Sequence, residues 1–428
     1  MESVAIIGLG YVGLPLALAF FQKGFHVVGI DSDRRKIHSI RAGESYLPDV
    51  SNDILKSVVD SGDFAVTNDF NWISEVEAIV ICVPTPLDEQ NNPDLSYLTN
   101  AGSSIQKHMK RGQFIVLESS TYPGTTTEIL RPLLEREGWA AGTDFYLGYS
   151  PERIDPGNIR HPLATVPKII SGVTEQCARK AFELYNAVFD QVVLASSTEV
   201  AEMAKILENS YRLVNISFIN EFATLCDRMN IDVWEVIEAA GTKPYGFSKF
   251  FPGPGVGGHC IPVDPMYLQW KSKKSGLSSE FIELSAVMNH RMPSYIVNRV
   301  KACLPFSHLK GARILIVGLA YKKDINDIRE SAAVELMRLF HQEGCRLEYH
   351  DPYVPTFEWN GAIYRSIDLS ESNLINTDCV IIATGHSHLP IQKLLDYAPL
   401  IYDTRNVTKG LSGKARVIRL GGGANVQR

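Results

Sequence analysis

A cysteine set among glycines is the first residue of this chain whose surroundings suit chemistry. In Gly253-Pro254-Gly255-Val256-Gly257-Gly258-His259-Cys260-Ile261-Pro262-Val263-Asp264, four glycines fall within six positions and a carboxylate follows the thiol by four. So few side chains would leave the backbone and the Cys260 sulfur open to a ligand, as a nucleophile requires. The opposing reading, an inert buried thiol, covers the other six cysteines at 82, 177, 226, 303, 345 and 379. Lys205 and Asn209 come next. Spaced i and i+4, they share one helix face, near an apolar stripe where Leu or Ala would sit more comfortably. An ammonium and an amide aimed into a cleft would stabilise an alkoxide or oxyanion. The other reading is a solvated pair, with Lys205 linked to Glu202 or Glu208.

Gly8-Leu9-Gly10-Tyr11-Val12-Gly13 is a G-x-G-x-x-G turn. Gly8 would make the turn, Gly10 would admit a pyrophosphate to the backbone, and Gly13 would let helix and strand pack closely. The diphosphate would meet the helix N-terminus. Asp31 lies 18 positions beyond Gly13, placed to accept both ribose hydroxyls and to repel a 2′-phosphate, which favours NAD over NADP. Arg34, Arg35 and Lys36 weaken that preference without overturning it. Two further loops follow strands, at the edge where doubly wound sheets bind ligands. They are Ser119-Ser120-Thr121-Tyr122-Pro123-Gly124-Thr125-Thr126-Thr127 and Ser150-Pro151-Glu152-Arg153-Ile154-Asp155-Pro156-Gly157-Asn158. Each reads either as a ligand loop or as a hydroxyl-rich cap or solvated turn.

The elements that must position these residues are legible in outline. Val4–Ile7 predicts a buried strand, Leu14–Lys23 a helix closed by Gly24, and Phe25–Ile30 a second strand ending at Asp31. That is the βαβ context a glycine fingerprint needs. Strands at Ala78–Val83, Phe114–Glu118 and Phe145–Tyr149 extend a parallel, doubly wound sheet. From Ser197 to Asn230 the period becomes helical, through Val200, Met203, Ala204, Leu207, Tyr211, Val214, Phe218, Phe222 and Leu225. A helix of about 30 residues would be about 45 Å long, enough to bridge two halves and offer a surface for dimerisation. Helices are expected at Val233–Ala240 and Ser279–Arg299, broken by the Gly- and Pro-rich stretch Pro244–Pro265. The last third repeats the opening: strand Ala312–Gly318, helix Ser331–Glu343 closed by Gly344, strand Arg346–His350 and Asp351, with strands at Cys379–Ala383 and Leu400–Tyr402. It lacks the full glycine fingerprint and carries Lys322, Lys323 and Arg329 in the loop instead, which suits a different phosphorylated ligand. The expected fold is α/β, two Rossmann-like doubly wound lobes joined by a long central helix, with domains at 1–196, 197–300 and 301–428.

Composition narrows the classes of function. With 45% hydrophobic and 21% charged residues the chain is neither disordered nor fibrous. A formal charge of −6 gives no broad basic surface and argues against nucleic acid as a partner. Seven scattered cysteines without C-x-x-C spacing support neither a disulfide framework nor a zinc site, and no metal is expected; reduced thiols suit a cytoplasmic enzyme. The uncharged run Val4–Phe21 has the length of a membrane span. Only Met1-Glu2-Ser3 stands before it, with no basic segment, and Gly8, Gly10, Gly13 and Pro15 interrupt it, so no membrane segment is expected.

Eight stretches in one order, IGLGYVGLPLA, CVPTPLD, ESSTYPGTT, YSPERIDPGN, AEMAKILEN, FFPGPGVGGHCIPVDP, GLAYKKDINDIRES and DTRN, resemble the UDP-glucose/GDP-mannose dehydrogenase family over nearly the whole chain. The closest likeness is to its UDP-N-acetylglucosamine 6-dehydrogenase branch. The resemblance implies NAD-dependent four-electron oxidation of a UDP-sugar C6 alcohol to a carboxylate, in surface-polysaccharide synthesis. It implies Cys260 as the thiolate that forms a thiohemiacetal and then a thioester. Lys205 and Asn209 would stabilise charge on the C6 oxygen. Asp264 would assist water or hold the lysine, and Glu152 and Thr121 would position water and protons. A covalent adduct would retain the aldehyde while the cofactor is exchanged. By the same resemblance the cofactor would meet Gly8, Gly10, Tyr11, Val12, Gly13, Asp31, Lys36, Thr85, Thr121 and Arg329. The UDP-sugar would meet Glu152, Arg153, Lys205, Asn209, Phe250, Phe251, Gly257, Lys322 and Arg405.

Val263-Asp264 stands where UDP-glucose members carry Lys-Asp, and Pro151-Glu152-Arg153 where they have Pro-Glu-Phe. Both point to an N-acetylhexosamine, and UDP-N-acetylglucosamine is the expectation. The manno and galacto epimers and UDP-glucose are the alternatives. The rival classes are a two-electron β-hydroxyacid dehydrogenase, which needs neither Cys260 nor a second lobe, and a non-catalytic nucleotide-sensing module. A homodimer or higher homo-oligomer is expected through the long helix.

Overall fold

The computed structural model describes every residue except 48–49, 137, 154–161, 259, 306–307 and 424–428. The chain forms two compact units, Met1–Asn209 with Val263–Ser278, and Ser210–Pro262 with Ser279–Arg428.

In the first unit, β1 (Ser3–Ile7), α1 (Gly13–Gln22) and β2 (His26–Ile30) form the opening βαβ. Helices α2 (Arg34–Arg41) and α3 (Asn52–Asp60) lead to β3 (Phe64–Thr67) and β4 (Ala78–Ile81). Next come α4 (Ser96–His108), β5 (Phe114–Leu117), α5 (Arg131–Leu134) and β6 (Tyr146–Tyr149). The sheet is completed by β7 (Lys168–Gly172), α6 (Glu175–Tyr185) and β8 (Val192–Leu194). Its order is β3-β2-β1-β4-β5-β6-β7-β8. Successive residues of one strand serve opposite faces: Val4, Ile6, Val80 and Val116 enter one apolar cluster, and Ala5, Ile7, Ile79 and Ile115 another. Burial on both faces is why the strands read as unbroken apolar runs. One pair departs from the expected parallel sheet. β7 runs antiparallel to β6, with Gly148 opposite Gly172 and Tyr149 opposite Ser171.

Helix α7 (Thr198–Met229) has 32 residues; unlike an ordinary surface helix it exposes an apolar stripe and buries a mixed face, in which Ala201, Ile206, Leu213, Ile219, Ala223 and Cys226 lie beside polar residues. Its buried face includes Glu202, Lys205, Asn209, Ser210, Ser217, Asn220 and Asp227. The periodic apolar residues point out: Val200, Met203, Leu207, Tyr211, Phe218, Phe222 and Leu225 are all exposed, Leu207 at 65%. Lys205 and Asn209 therefore sit opposite the apolar stripe, not beside it, because two residues along a helix turn about 200°.

The second unit begins within α7 and contains α8 (Val233–Ala240). Helix α9 (Cys260–Lys274) starts here, and its residues from Val263 belong to the first unit. This helix corrects the reading of Pro244–Pro265 as a continuous break. Pro262 falls in the first turn, where no N–H is needed, and only Pro265 lies inside the helix. Helix α10 (Glu280–Cys303), β9 (Arg313–Val317), α11 (Ala332–Gln342) and β10 (Arg346–His350) follow. A hairpin of β11 (Thr356–Trp359) and β12 (Ala362–Arg365) precedes α12 (Glu371–Ile375), β13 (Cys379–Ile382), α13 (Ile391–Tyr397), β14 (Leu400–Asp403) and β15 (Arg416–Arg419). The five-stranded sheet has order β10-β9-β13-β14-β15 and is parallel throughout. The repeat of the opening extends to its bonding. Leu9 N–H donates to Asp31 Oδ2 at 2.8 Å in the first unit, and Leu319 N–H to Asp351 Oδ2 at 2.7 Å in the second. Among the described residues no helix is long and apolar enough to cross a membrane.

Candidate active site

The glycine turn after β1 is shaped for a diphosphate. Gly8 has φ +94°, and a side chain there would meet the Cys82 carbonyl oxygen at 2.5 Å. At Gly13 a Cβ would stand 1.8 Å from the Gly8 carbonyl oxygen, so helix and loop could not close. At Gly10 it would meet nothing within 4 Å, which leaves room beside the backbone. No side chain caps α1, whose N-cap is Val12 beside the half-buried Tyr11; Leu14 N–H is taken by Gly10 O at 3.2 Å and Pro15 carries none, which leaves the Gly13 N–H at the head of the helix to receive an anion. Asp31 holds this turn through Leu9 N–H and takes Lys36 Nζ at 3.1 Å. Arg35 is turned onto Asp33. The open Gly10 and uncapped helix fit a dinucleotide.

Beyond β5 the Ser119–Thr127 loop is stitched down by its own hydroxyls. Thr85 Oγ1 donates to Ser120 O at 2.6 Å, Ser119 Oγ to Val83 O at 2.7 Å, and Thr121 and Thr125 hydroxyls meet at 2.5 Å. Glu202 of α7 anchors it, accepting from Gly124 N–H, Thr126 N–H and Thr126 Oγ1 at 2.6, 2.9 and 2.7 Å. Burial pushes Glu202 up to about 7 against those donors. Glu208 is taken by Arg153 Nη2 at 2.6 Å, while Arg153 Nη1 donates to Pro167 O. With both acidic neighbours committed, Lys205 is not the solvated half of a surface pair. It is 8% exposed, and among the described residues its ammonium makes no hydrogen bond or ion pair.

Asn209 and Asp264 complete this buried group. Asn209 Nδ2 donates to Asp264 Oδ2 at 2.6 Å, and among the described residues Asp264 Oδ1 has no hydrogen-bond partner. Burial raises Asp264 to about 6, opposed by the Lys205 charge and by Asn209 and Ser120. An unpaired ammonium, an amide and a half-satisfied carboxylate, all buried, cost free energy unless something else completes them. Cys260 is exposed in the first turn of α9, the end of a helix dipole that favours negative charge. Asp264 lies one turn on. The surrounding glycines do not leave a bare loop, however. A Cβ at Gly257 would strike Glu330 O at 2.6 Å and Tyr321 Cβ at 2.7 Å, one at Gly258 the Tyr321 ring, and one at Gly253 the Arg405 guanidinium. They are small because protein packs against them.

Glu152 is 7% exposed and is held by Lys168, which also binds Glu118. Residues 154–161 of the loop that follows Glu152 and Arg153 lie outside the described residues. In the second unit a cavity of about 630 Å³ is lined by Phe251, Tyr321, Lys322, Lys323, Arg405 and Lys409, among others. Trp234 and Phe251 stack across 5.9 Å, and burial lowers Arg405 to about 10 against Asp403. Aromatic faces and several cations in one cavity suit a nucleoside diphosphate. Phe250 turns to a different cavity of about 550 Å³, edge-on to Tyr211. Arg329 is forked onto Asp327. Lys168, Glu118 and Glu202 carry no sequence signal of a site, because their partners lie 16 to 78 residues away.

Comparison with known proteins adds three family-model matches. The UDP-glucose/GDP-mannose dehydrogenase family NAD binding domain matches residues 2–189, its central domain 199–291, and its UDP binding domain 315–410. A UDP-N-acetyl-D-glucosamine 6-dehydrogenase of Pseudomonas aeruginosa is 39% identical over 356 residues, 82% of this chain and 83% of that one. One from Salmonella typhi is 37% identical over 392 residues, 90% of each. The solved structure of a UDP-D-ManNAc dehydrogenase from Pyrococcus horikoshii matches with TM-score 0.87 and 32% identity, covering 98% of this chain and 99% of that one.

Proposed function

We propose, from the premise that the chain belongs to the UDP-glucose/GDP-mannose dehydrogenase family, that it oxidises the C6 alcohol of UDP-N-acetylglucosamine to the carboxylate in two two-electron steps. The observation that carries this reading is the buried group Lys205, Asn209 and Asp264, in which the Lys205 charge acts on Asp264 and, among the described residues, Asp264 Oδ1 has no hydrogen-bond partner. The two relatives named for UDP-N-acetyl-D-glucosamine and the Val263-Asp264 and Glu152-Arg153 pairs favour that sugar; the Pyrococcus structure makes the manno epimer the alternative.

In this reading Lys205 and Asn209 stabilise the C6 oxygen as its charge develops. NAD+ held at Gly8–Gly13 and Asp31 supplies the hydride acceptor. The Cys260 thiolate adds to the aldehyde carbon, so the half-oxidised sugar stays bound through a C–S bond. After the second oxidation the adduct is a thioester. Water adds to its carbonyl, the C–S bond breaks with its electron pair on sulfur, and the carboxylate leaves. Asp264 and Glu152, with Thr121, position that water and take its proton. Lys322 and Arg405 hold the diphosphate, with Phe251 beside the base. The exposed stripe of α7 is proposed as the contact of a homodimer, since an apolar face of that extent needs cover. Seven cysteines, none of them in a disulfide, suit the cytoplasm.

The test is a screen of UDP-sugars with NAD+, followed by reduced-nicotinamide absorbance. Two NADH per UDP-N-acetylglucosamine are expected. In Cys260→Ser a covalent ester is expected to build up, visible by intact mass. One NADH per sugar, unchanged in Cys260→Ala, would replace this reading with a two-electron dehydrogenase.

A further inference from the structure

The antiparallel strand β7 has a consequence for Glu152. Residues paired across β6 and β7 sum to one register, Gly148 with Gly172 and Tyr149 with Ser171. Continued past the end of β6, that register brings the first residue of β7, Lys168, opposite Glu152. The contact is made: Lys168 Nζ lies 3.2 Å from Glu152 Oε2 and 2.8 Å from Glu118 Oε2. Tyr185 of α6 donates its hydroxyl to Glu118 Oε1. The ammonium also lies about 5 Å from the ring centres of Tyr185 (5.3 Å) and Phe189 (5.2 Å). The side chains of Lys168, Glu118 and Glu152 are 3%, 0% and 9% exposed.

A structural role explains this group poorly. A buried ion cluster seldom stabilises a fold better than apolar residues of the same volume. The strain of burial shows on Glu118. Burial raises it to about 7, Lys168 lowers it and Glu152 raises it further. Burial works against the Lys168 charge, and the two carboxylates overcome it. Among the described residues the other titratable groups facing the cluster, Cys82, Tyr149 and Tyr185, are kept neutral by burial. Glu118 anchors the ammonium from behind, with Lys168 Nζ 2.8 Å from Glu118 Oε2 and 3.2 Å from Glu152 Oε2.

We propose that Lys168 is a positioning residue for Glu152, anchored from behind by Glu118, and that it fixes the carboxylate that takes the proton of the hydrolytic water. The inference rests on the role given to Glu152 above. An opposite charge at such a distance favours ionisation by about 1–3 pH units. Glu152 must be ionised to accept a proton, so losing the ammonium shifts the acid limb of kcat to higher pH.

The experiment compares kcat against pH for Lys168→Met, Lys168→Arg and Glu152→Gln, using UDP-N-acetylglucosamine and NAD+, with intact mass taken during turnover. Lys168→Met/Glu118→Gln is added, because it removes one group of each sign and burdens folding less. The limb is expected to move up by about 1–3 pH units in the Met variants, with a larger fraction of Cys260-bound acyl enzyme. Lys168→Arg should return it to the wild-type position. A purely structural role would lower the melting temperature and leave the limb in place, and that result in either Met variant overturns the inference. Wild-type turnover in Glu152→Gln would overturn the reading of Glu152 and this inference together. A disabled Glu152→Gln with unmoved Met variants would overturn this inference alone.

Discussion

Gly10 and Gly13 allow the dinucleotide cradle to be tested by two single methyl groups with opposite expected signatures. Gly13→Ala would put a Cβ 1.8 Å from the Gly8 carbonyl oxygen and 3.3 Å from Cys82 Cβ. Backbone must move to admit it, and such overpacking costs about 1–3 kcal/mol or more. At about 2–4 °C per kcal/mol for a unit of this size, the melting temperature should fall by several degrees. Gly10→Ala meets nothing within 4 Å, so its melting temperature should equal the wild type's. What it blocks is close approach of a diphosphate to the loop amides. A hydrogen bond to a charged oxygen is worth about 1.5–3 kcal/mol, so NAD+ should bind about ten- to a hundredfold more weakly. Calorimetric titration with NAD+ beside a thermal melt separates the two effects. A Gly10→Ala protein that binds NAD+ as the wild type does would refute the placement of the diphosphate at this turn. One that melts early would refute the claim that the space is open.

Asp264 gives a pH signature. Its folded pKa, about 6, lies above its ordinary 3.8, so the folded state holds the proton more tightly and stability falls as pH rises between those values. Asn209→Leu removes the donor to Asp264 Oδ2, worth about 1.5–3 kcal/mol. The variant should therefore match the wild-type melt near pH 4 relatively closely and lose ground above pH 6; a deficit constant with pH would contradict this. For the exposed stripe, Phe218→Asp should convert a dimer to a monomer by light scattering without loss of helicity, and an unchanged mass would rule out α7 as the contact.

Local regularities carried most of the fold. The strand, Gly8, α1, Gly24, β2 and Asp31 series repeats as β9, Gly318, α11, Gly344, β10 and Asp351, because each step has a short-range cause in burial, positive φ or capping. Helix α9 escaped notice because its apolar residues mark no single face, and its prolines read as breakers although one falls in the first turn. The direction of β7 is a matter of tertiary pairing, which no period encodes. In the candidate site, Lys205 and Asn209 stand out by chemistry, but the sequence sets them near the apolar stripe, whereas they lie on the buried face opposite it. Helical period shows that a face is apolar, not what covers it. The glycines before Cys260 were legible as a need for small residues. The reason, contact with Tyr321, Glu330 and Arg405, is spread over 150 residues of chain and lies outside any local pattern.

That contact fixes more than a loop. Gly258 N–H bonds to Arg329 O at 2.9 Å, Gly257 is clamped by Tyr321, and Phe251 and Tyr321 are walls of the same cation-rich cavity. The strand of chain that carries the sulfur is thus built into the chamber read as the nucleotide's seat. In the function proposed above, it acts as a calliper with one jaw on the uridine end and the other at the thiol. A UDP-pentose, one carbon short, would still dock by its nucleotide and leave the second jaw closing on nothing.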